Sequence, residues 1–572
     1  MSLKEKIFAG KGLIKAETVL ENCRIVNVNT KEITKGDIAI WSDFIVGIGD
    51  VEGQKGQKTK ILDLKNQYVS PGLIDGHVHF ESSMVTLTEF AKRSIRHGTT
   101  GIVIDPHEIA NILGTRGIRL VMHEAKCSQL DVFITVSSCV PSSPFETSGA
   151  KIDLSCMKKF LDLKYVVGLG EMMNYNEVIS ANAGKLSMIQ AALDRKLVVD
   201  GHCPGMHDAE LSGYMNAGIS SDHESVTFSE ALKKARLGMK IMIREGSAAK
   251  SLEEFIPALL REGISLENFF FVTDDKHSGD LIKGHMDVIV RSAIKLGLDP
   301  IQAISMASIN TARHYRIDQI VGSISIGRRA NLVILDDLET FQIKNVMVKG
   351  KINPKARKME YPDYVFKTIK YKKIHPDDLK IKSGKNVSAH IIEIVPGKLV
   401  TKRCVEKLRT DGRTVLPDLD KDILAVAVIG RHVRSGNIGL GFVRGFGLKE
   451  GAIGQSIAHD SHNVIIVGSN FKDMALCANR IREMQGGIVI AKDNVVDFLS
   501  LPFAGILSIK SANDVDKKLK NLHNKVKRMG CELDEPFIQM SFLSLPVIPS
   551  LKITDKGLVD VDSFKLIPTL CS

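Results

Sequence analysis

The sequence predicts an α/β protein in which a (β/α)8 TIM-like barrel is inserted into a small split β-sandwich and followed by a C-terminal α+β domain. Three observations lead to this fold class. Short β-type runs lie on both sides of a long central segment, that segment alternates apolar strand candidates with helical stretches, and a mixed region follows it. At 572 residues the chain is too long for one ordinary core, so several domains are expected.

The predicted sandwich is divided between residues 1–70 and residues 317–375, the second part including a linker. The later part has β-type patterns at 321–336 and 346–349, and turn-like Asn, Gly and Lys clusters separate the runs of the first part. Neither part has enough strands to enclose its own core, so we expect one sandwich built from both. The β-type runs of the first part are 24–28, 37–40 and 44–48.

Residues 71–316 are the predicted barrel, a length close to the ~250 residues typical of that fold. Its apolar, β-branched strand candidates are separated by stretches with helical periodicity. Buried strands that alternate with helices predict a parallel sheet, and eight such units predict that the sheet closes. The strand candidates are 73–80, 99–105, 132–138, 165–171, 197–202, 219–223, 240–244 and 269–274.

Residues 376–572 are predicted to form the separate α+β domain. Strand candidates such as 423–429 and 464–467 are mixed with helices, of which the clearest stops at Gly530. The apolar face of that helix holds Val515, Leu519, Leu522, Val526 and Met529.

Composition narrows the class of protein. The formal charge is +11, but the lysines are dispersed without aromatic interleaving, so we expect no nucleic-acid partner. No apolar run approaches the ~18–20 residues that span a bilayer, so no membrane partner is expected. The nine cysteines are irregularly spaced and lack a C-x-x-C pair, which indicates reduced thiols and a cytoplasmic location. A homo-oligomer, such as a dimer, is also expected.

Polar residues with metal-ligand chemistry stand at the carboxyl ends of the predicted strands, where barrel active sites gather. The first strand contains P-G-L-I-D-G-H-V-H-F-E, whose two histidines share one face of the strand. A lone His-x-His is a weak signal, but four histidines and two carboxylates from five strands are hard to explain by packing. Nitrogen and oxygen ligands without thiolates suit Zn²⁺, Mn²⁺ or Fe²⁺, and six are enough for two ions. The six residues are His77, His79, Glu171, His202, His223 and Asp274.

These strand ends resemble the amidohydrolase superfamily, which pairs a metal-dependent barrel with a split β-sandwich. More narrowly, D-P-H-E-I-A-N-I-L-G, G-L-G-E-M-M-N, G-H-C-P-G, V-T-D-D-K-H and H-D-S-H-N-V-I-I-V-G resemble the adenine deaminases of bacteria and archaea. The resemblance covers the barrel, both sandwich parts and the C-terminal domain. It implies hydrolytic deamination of adenine by water to hypoxanthine and ammonia, as in purine salvage.

The resemblance also implies roles for single residues. His77, His79 and Asp274 would bind the more buried of two divalent ions, His202 and His223 would bind the second, and Glu171 would bridge them. Mn²⁺ or Fe²⁺ is the expected metal, and the same ligands also accept Zn²⁺. Asp274 would take the proton of the attacking hydroxide and pass it to the departing amine. The neighbouring Asp275 is the alternative ligand, and V-T-D is the pattern that favours Asp274.

Groups that contact the purine are less constrained by the sequence. Asp105 and Glu108 emerge at the active end of strand two; the alternative is that Asp105 caps the following turn and Glu108 supports a metal histidine. Glu81 and Ser82 follow the metal histidines and are further candidates. Arg244 ends strand seven. Its expected role is structural ion pairing, because adenine has no anionic group that an arginine would bind.

The His459–His462 segment, H-D-S-H, has two interpretations. We favour a hydrogen-bonded turn that leads into a strand, and the alternative is a loop that closes over the barrel mouth. Two other functions also stay open at this point. One is a different amidohydrolase, such as an N-acetyl sugar deacetylase, since those enzymes also use a glutamate at strand four. The other is a non-enzymatic basic binding protein on the same scaffold.

Overall fold

The computed structural model describes residues 2–247, 249–357, 359–384, 387–434 and 436–571. Within them, strands from both sides of the barrel share one eight-stranded sheet. Tyr68–Pro71 lies before the barrel and pairs antiparallel with Leu332–Asp337, which lies after it. Leu20, Ile38 and Leu332 pack in one core. The strands are Thr18–Asn27, Glu32–Trp41, Phe44–Gly49, Lys60–Asp63, Tyr68–Pro71, Leu332–Asp337, Gln342–Val348 and Lys351–Ile352, and the helix Leu3–Gly10 precedes them.

The predicted parallel barrel is confirmed. Barrel strands one to five pair in chain order, as do six to eight, and every one of these pairings is parallel. Asp274–Asp275 follows strand eight and pairs with strand one, which closes the ring. Barrel strands one to eight are Leu73–His79, Thr99–Ile104, Asp131–Val136, Val166–Met172, Val198–Gly201, Ser221–Asp222, Lys240–Arg244 and Phe269–Val272.

Two local features hold the ring together where the strand ladder is interrupted. Buried Asp75 accepts hydrogen bonds from the backbone nitrogen and the hydroxyl of Thr273, which ties strand one to the end of strand eight. Between strands five and six, the backbone nitrogen of Ser220 donates to Val199. A Cβ at Gly201 would lie 2.3 Å from the carbonyl oxygen of Ser221, so only glycine permits this approach.

Helices surround the barrel and cover its strands, as the alternating pattern predicts. Their apolar faces are buried; in Leu87–Arg96, for example, Leu87, Phe90, Ala91 and Ile95 point inward. The helices of this region are Leu87–Arg96, His107–Leu113, Thr115–Cys127, Leu154–Leu161, Tyr175–Ile179, Ala183–Leu193, Asp208–Asn216, Phe228–Arg236, Leu252–Arg261, Ser278–Lys283, Met286–Lys295, Pro300–Met306 and Ile309–His314.

The C-terminal α+β domain is built on a nine-stranded sheet and a three-stranded sheet. The predicted helix is Ala512–Arg528, and its apolar face is buried. The strands of the larger sheet are Val387–Ile394, Thr401–Leu408, Ile423–Ile429, Ile438–Arg444, Ala452–Gln455, Val464–Gly468, Gly487–Lys492, Val495–Ser500 and Leu570–Cys571. Those of the smaller sheet are Leu551–Thr554, Gly557–Asp560 and Lys565–Ile567, and the other helices are Phe471–Glu483 and Pro536–Phe542.

This domain contacts the barrel directly. The backbone nitrogen of Ser508 donates to the carbonyl of Met84 at 2.8 Å, close to the end of barrel strand one. Asn463 donates from its side chain to the carbonyl of Thr147 at 2.9 Å. The domain therefore lies against the loops at the carboxyl ends of the barrel strands. In the described part of the chain, no helix combines the length and the apolar character that a membrane span requires.

Candidate metal centre

The six predicted ligands converge at the carboxyl ends of the barrel strands. Five of them are buried, and the side chain of His202 is 12% exposed. His77 Nε2 and His79 Nε2 lie 3.1 Å apart, and Asp274 Oδ1 lies 3.5 Å from the first and 3.1 Å from the second. The structure therefore brings together the whole set that the strand-end pattern selected.

Glu171 stands between two groups of histidines. Its Oε1 lies 3.1 Å from His79 Nε2. Its Oε2 lies 2.8 Å from His202 Nδ1 and 3.2 Å from His223 Nε2. Each oxygen of Glu171 thus faces a different group of histidines.

The geometry separates Asp274 from Asp275. Asp274 has a φ of 55°, in the left-handed region that aspartate adopts more readily than most residues, and its carboxylate joins the histidines. Asp275 instead accepts a hydrogen bond from the hydroxyl of Ser82 at 2.5 Å. Asp274 is therefore the aspartate in the cluster.

Asp105 positions Glu171 rather than facing the cavity. Its Oδ2 accepts from the backbone nitrogen of Glu171 at 3.0 Å, and its Oδ1 accepts from the hydroxyl of Ser137 at 2.8 Å. A Cβ at Gly170 would lie 2.1 Å from Oδ2, so the G-L-G-E sequence leaves room for this contact. The carbonyl of Asp105 also meets Nδ1 of His79 at 3.1 Å. A residue with these contacts orients two of the cluster's side chains.

Charge in the cluster is concentrated on two carboxylates. Burial by itself would raise their pKa values. Hydrogen bonds from His202, His223 and His79 nevertheless hold the pKa of Glu171 well below its ordinary value. His77, His79 and Arg244 likewise hold the pKa of Asp274 well below its ordinary value against the effect of burial. Both groups are therefore anionic and ready to bind a cation.

The residues present fit a divalent metal. Ligands held about 2.1 Å from an ion in tetrahedral or octahedral geometry lie roughly 3.0–3.4 Å from one another. Within each group of ligand atoms the shortest contacts run from 2.8 to 3.5 Å, and His77 Nε2 lies 3.9 Å from Glu171 Oε1. Overlapping groups of His, Asp and Glu offer ligand atoms that all lie within 4.8 Å of one another. Imidazoles and carboxylates without thiolates are typical ligands of Zn²⁺, Mn²⁺ and Fe²⁺.

The C-terminal domain forms one wall of the cavity over this cluster. Two adjoining cavities share Glu108, Asp275, His459 and Phe542. The His459 ring stacks on the Phe542 ring with centroids 4.5 Å apart. The turn interpretation of His459–His462 is therefore incomplete, because the segment lies at the barrel mouth. The other residues of this wall over the cluster are Leu399, Asp460, Leu545 and Ile548.

The other residues predicted to contact the substrate have different positions relative to the cavity over the cluster. Glu81 and Ser82 line the cavity that adjoins the metal cluster. Glu108 also borders it, but its Oε1 lies 3.0 Å from His459 Nδ1 of the C-terminal domain. Glu81 is buried and its Oε2 has no hydrogen-bond partner among the described residues, whereas the hydroxyl of Ser82 donates to Asp275.

Sequence reasoning missed two neighbours of the cluster, Glu224 and His107. Glu224 pairs with Arg244, and Arg244 in turn donates to Asp274 Oδ2 at 2.8 Å. The expected ion pairing of Arg244 is present, but one of its partners belongs to the cluster. His107 Nδ1 lies 3.7 Å from Glu171 Oε1. Glu224 follows His223 and His107 follows Asp105-Pro106 at strand ends, so position could have signalled both.

Comparison with known proteins identifies the family. Residues 68–353 match the model of the Amidohydrolase family, and residues 398–565 match the Adenine deaminase C-terminal domain. A protein of Methanococcoides burtonii named adenine deaminase is 54% identical over 99% of this chain and 98% of its own length. Proteins of the same name from Clostridium acetobutylicum and Archaeoglobus fulgidus are 43% and 41% identical, each over 99% of this chain and over 100% and 97% of their own lengths. The chain therefore belongs to the adenine deaminase family, with a barrel of the amidohydrolase type.

Proposed function

We propose that this protein removes the C6 amino group of adenine by hydrolysis, giving hypoxanthine and ammonia. The observation that carries the proposal is the buried cluster of four histidines and two carboxylates at the mouth of the barrel. The full-length similarity to proteins named adenine deaminase gives the substrate. Neither an N-acetyl sugar deacetylase nor a basic binding protein has comparable support.

Two divalent ions are proposed for the cluster. His77, His79 and Asp274 would hold one ion, His202 and His223 would hold the other, and Glu171 would bind both. Support comes from the two oxygens of Glu171, which face the two groups of histidines at 2.8–3.2 Å. When bound, such ions lower the pKa of water towards neutrality and so make hydroxide available. Mn²⁺ or Fe²⁺ is our expectation, with Zn²⁺ as the alternative that the same ligands accept.

Asp274 is proposed to move the proton that the reaction displaces. Hydrolysis at C6 takes a proton from water and delivers one to the departing amine, so a carboxylate within reach of both serves as general base and then general acid. Arg244 holds Oδ2 of Asp274 at 2.8 Å, which fixes the direction in which this carboxylate points. Glu171 keeps its charge and orients His79, His202 and His223.

Glu81 and Ser82 are proposed to contact the purine. Burial, with a further contribution from Glu108, raises the pKa of Glu81 to about 8. A neutral carboxyl can donate a hydrogen bond to a ring nitrogen, which an ionised carboxylate cannot do. Phe542 and His459 give the same space an aromatic wall. Asp105 and Glu108 are not retained as purine contacts, because their carboxylates already face Glu171 and His459 respectively.

The location and the oligomeric state are also proposals. All nine cysteines are free thiols, which supports a reducing, cytoplasmic compartment. A homodimer is the oligomeric state that we propose, and light scattering of the purified protein would test it.

Incubation with adenine tests the proposed function. Protein purified without chelator and supplied with Mn²⁺ or Fe²⁺ should consume adenine and release ammonia, and it should not deacetylate an N-acetyl sugar. His77→Ala should lose both metal and turnover. His123→Ala removes an exposed histidine of the helix Thr115–Cys127 and is the matched control, so it should keep both. Metal-replete protein that leaves adenine unchanged while cleaving the acetyl amide would overturn the proposal.

A further inference from the structure

We propose that Glu108, His459 and His462 form an additional metal site that joins the C-terminal domain to the barrel. A divalent cation of the zinc type would be its ligand. The site lies outside the six-residue cluster of the barrel strands and shares no residue with it. The proposal does not depend on the substrate. Its test is therefore separate from the test of adenine deamination.

The three residues come from two domains and meet in the interior. Glu108 belongs to the helix His107–Leu113, which follows barrel strand two. His459 and His462 belong to the loop that precedes the strand Val464–Gly468 of the C-terminal domain. Their exposed fractions are 2%, 9% and 0%, so the group lies between the two domains and away from the outer surface.

One pair of ligand atoms has the spacing that a bound ion requires, and the other is slightly wider. Glu108 Oε1 lies 3.0 Å from His459 Nδ1, and Glu108 Oε2 lies 3.7 Å from His462 Nε2. Neighbouring ligands of a four- or six-coordinate ion are expected roughly 3.0–3.4 Å apart. One donor atom from each residue falls within 4.8 Å of the other two, as in the barrel cluster.

His462 supplies an independent reason to place an ion here. It is fully buried, yet neither of its ring nitrogens has a hydrogen-bond partner among the described residues. An ion pair between Glu108 and His459 would account for the contact between those two residues. It would leave both ring nitrogens of His462 without a hydrogen-bond partner among the described residues. Asp460 Oδ2 is also buried and has no hydrogen-bond partner in the part of the chain that the structure describes. Buried polar groups are normally satisfied, and a cation bound through Nε2 of His462 would meet that requirement for the nitrogen that faces Glu108.

The donor set indicates the class of cation. Two imidazoles and one carboxylate form a three-residue set that Zn²⁺ accepts, with a further position left for water or a fourth ligand. Mn²⁺, Fe²⁺ and Co²⁺ accept the same atoms, so availability would decide among them. The ring of His459 borders the cavity over the barrel cluster. An ion at this point would therefore hold that wall in place, which is a positioning role and not part of the chemistry at C6.

Metal counting on the full-length protein provides the first test. Wild-type protein purified without chelator should hold one equivalent more than His462→Gln, by mass spectrometry of its metals. His123→Gln, the exposed matched control, should keep the wild-type count. His77→Ala should lose metal from the barrel cluster and keep the additional equivalent. Equal metal content in wild type and His462→Gln would overturn the proposal.

A second measurement tests the site without any variant, in case His462→Gln fails to fold. Anomalous diffraction from wild-type crystals grown with Zn²⁺ should give a peak bounded by Glu108, His459 and His462, apart from those of the barrel cluster. Density at the barrel cluster with none at these three residues would contradict the additional site. The same data would leave the deaminase proposal standing, because that proposal depends on the barrel cluster alone.

Discussion

Arg244 donates a hydrogen bond from Nη1 to Oδ2 of Asp274 at 2.8 Å, while Oδ1 of the same carboxylate faces His77 and His79. The two oxygens of Asp274 are thus committed to different tasks. One belongs to the metal cluster, and the other is fixed by a buried guanidinium that also pairs with Glu224. The aspartate proposed to transfer protons is therefore held in one orientation by its hydrogen bond from Arg244.

Replacing Arg244 with methionine should lower kcat by about 10- to 100-fold, because a residue that orients a metal ligand typically has an effect of this size. Metal content should stay close to that of the wild type, and ammonia release would give kcat. Arg195→Met is the matched control, since Arg195 pairs with the exposed Asp162 on the surface and should leave kcat unchanged. A normal kcat in Arg244→Met would show that Asp274 needs no such support.

Asp105→Asn separates a positioning residue from a purine contact. The change places an amide where the carboxylate accepts from the Glu171 backbone nitrogen, so Glu171 should shift. We expect kcat to fall about 10- to 100-fold with little change in KM for adenine. Steady-state kinetics measures both. A large rise in KM with an unchanged kcat would instead place Asp105 against the substrate.

The proposed role of Glu81 predicts a pH dependence. Because burial and Glu108 raise its pKa to about 8, the side chain is a neutral donor below that pH and an ionised acceptor above it. KM for adenine should therefore rise as the pH passes about 8. Glu81→Gln keeps a donor at every pH and should remove this rise, whereas Glu81→Leu should raise KM about tenfold throughout. An identical pH profile in wild type and Glu81→Gln would exclude the role.

Lys552 predicts a pH dependence of stability. This buried lysine donates to the carbonyls of Leu399 and Phe542, two residues of the cavity wall. Burial lowers its pKa to about 7, below the ~10.4 of an unfolded chain. Between these values the unfolded state binds a proton that the folded state does not. The free energy of unfolding should then rise with pH by up to about 1.4 kcal/mol per unit from this group.

Urea denaturation at pH 7 and pH 9 would measure this effect. Lys552→Met should lose the rise, and Lys556→Met, which removes an exposed lysine of the same hairpin, should keep it. If both variants and the wild type respond alike to pH, Lys552 is not the group responsible.

The barrel could be predicted because its signals are local. Each strand is a short apolar run, and its carboxyl end faces the site by the rule of the fold. The strand predicted at 165–171 is Val166–Met172, and the one predicted at 269–274 is Phe269–Val272. The polar residue that ends each run therefore points to the cluster even without knowledge of its neighbours.

The cavity wall could not be predicted, because it depends on contacts between segments far apart in sequence. Phe542 ends a helix in the C-terminal domain, and nothing in its local pattern indicates that it stacks on His459 over the barrel. The choice among the purine contacts also depends on such packing. Asp105 and Glu81 are both acidic residues near strand ends, and only packing decides that one supports Glu171 while the other lines the cavity.

The most direct test of the central claim is ammonia release from adenine by protein stripped of metal and then given Mn²⁺ in increasing amounts. The account predicts no turnover without metal, and recovery in step with metal bound, with one hypoxanthine and one ammonia formed for each adenine. Protein that binds the metal with its barrel cluster intact and still leaves adenine unchanged would contradict it.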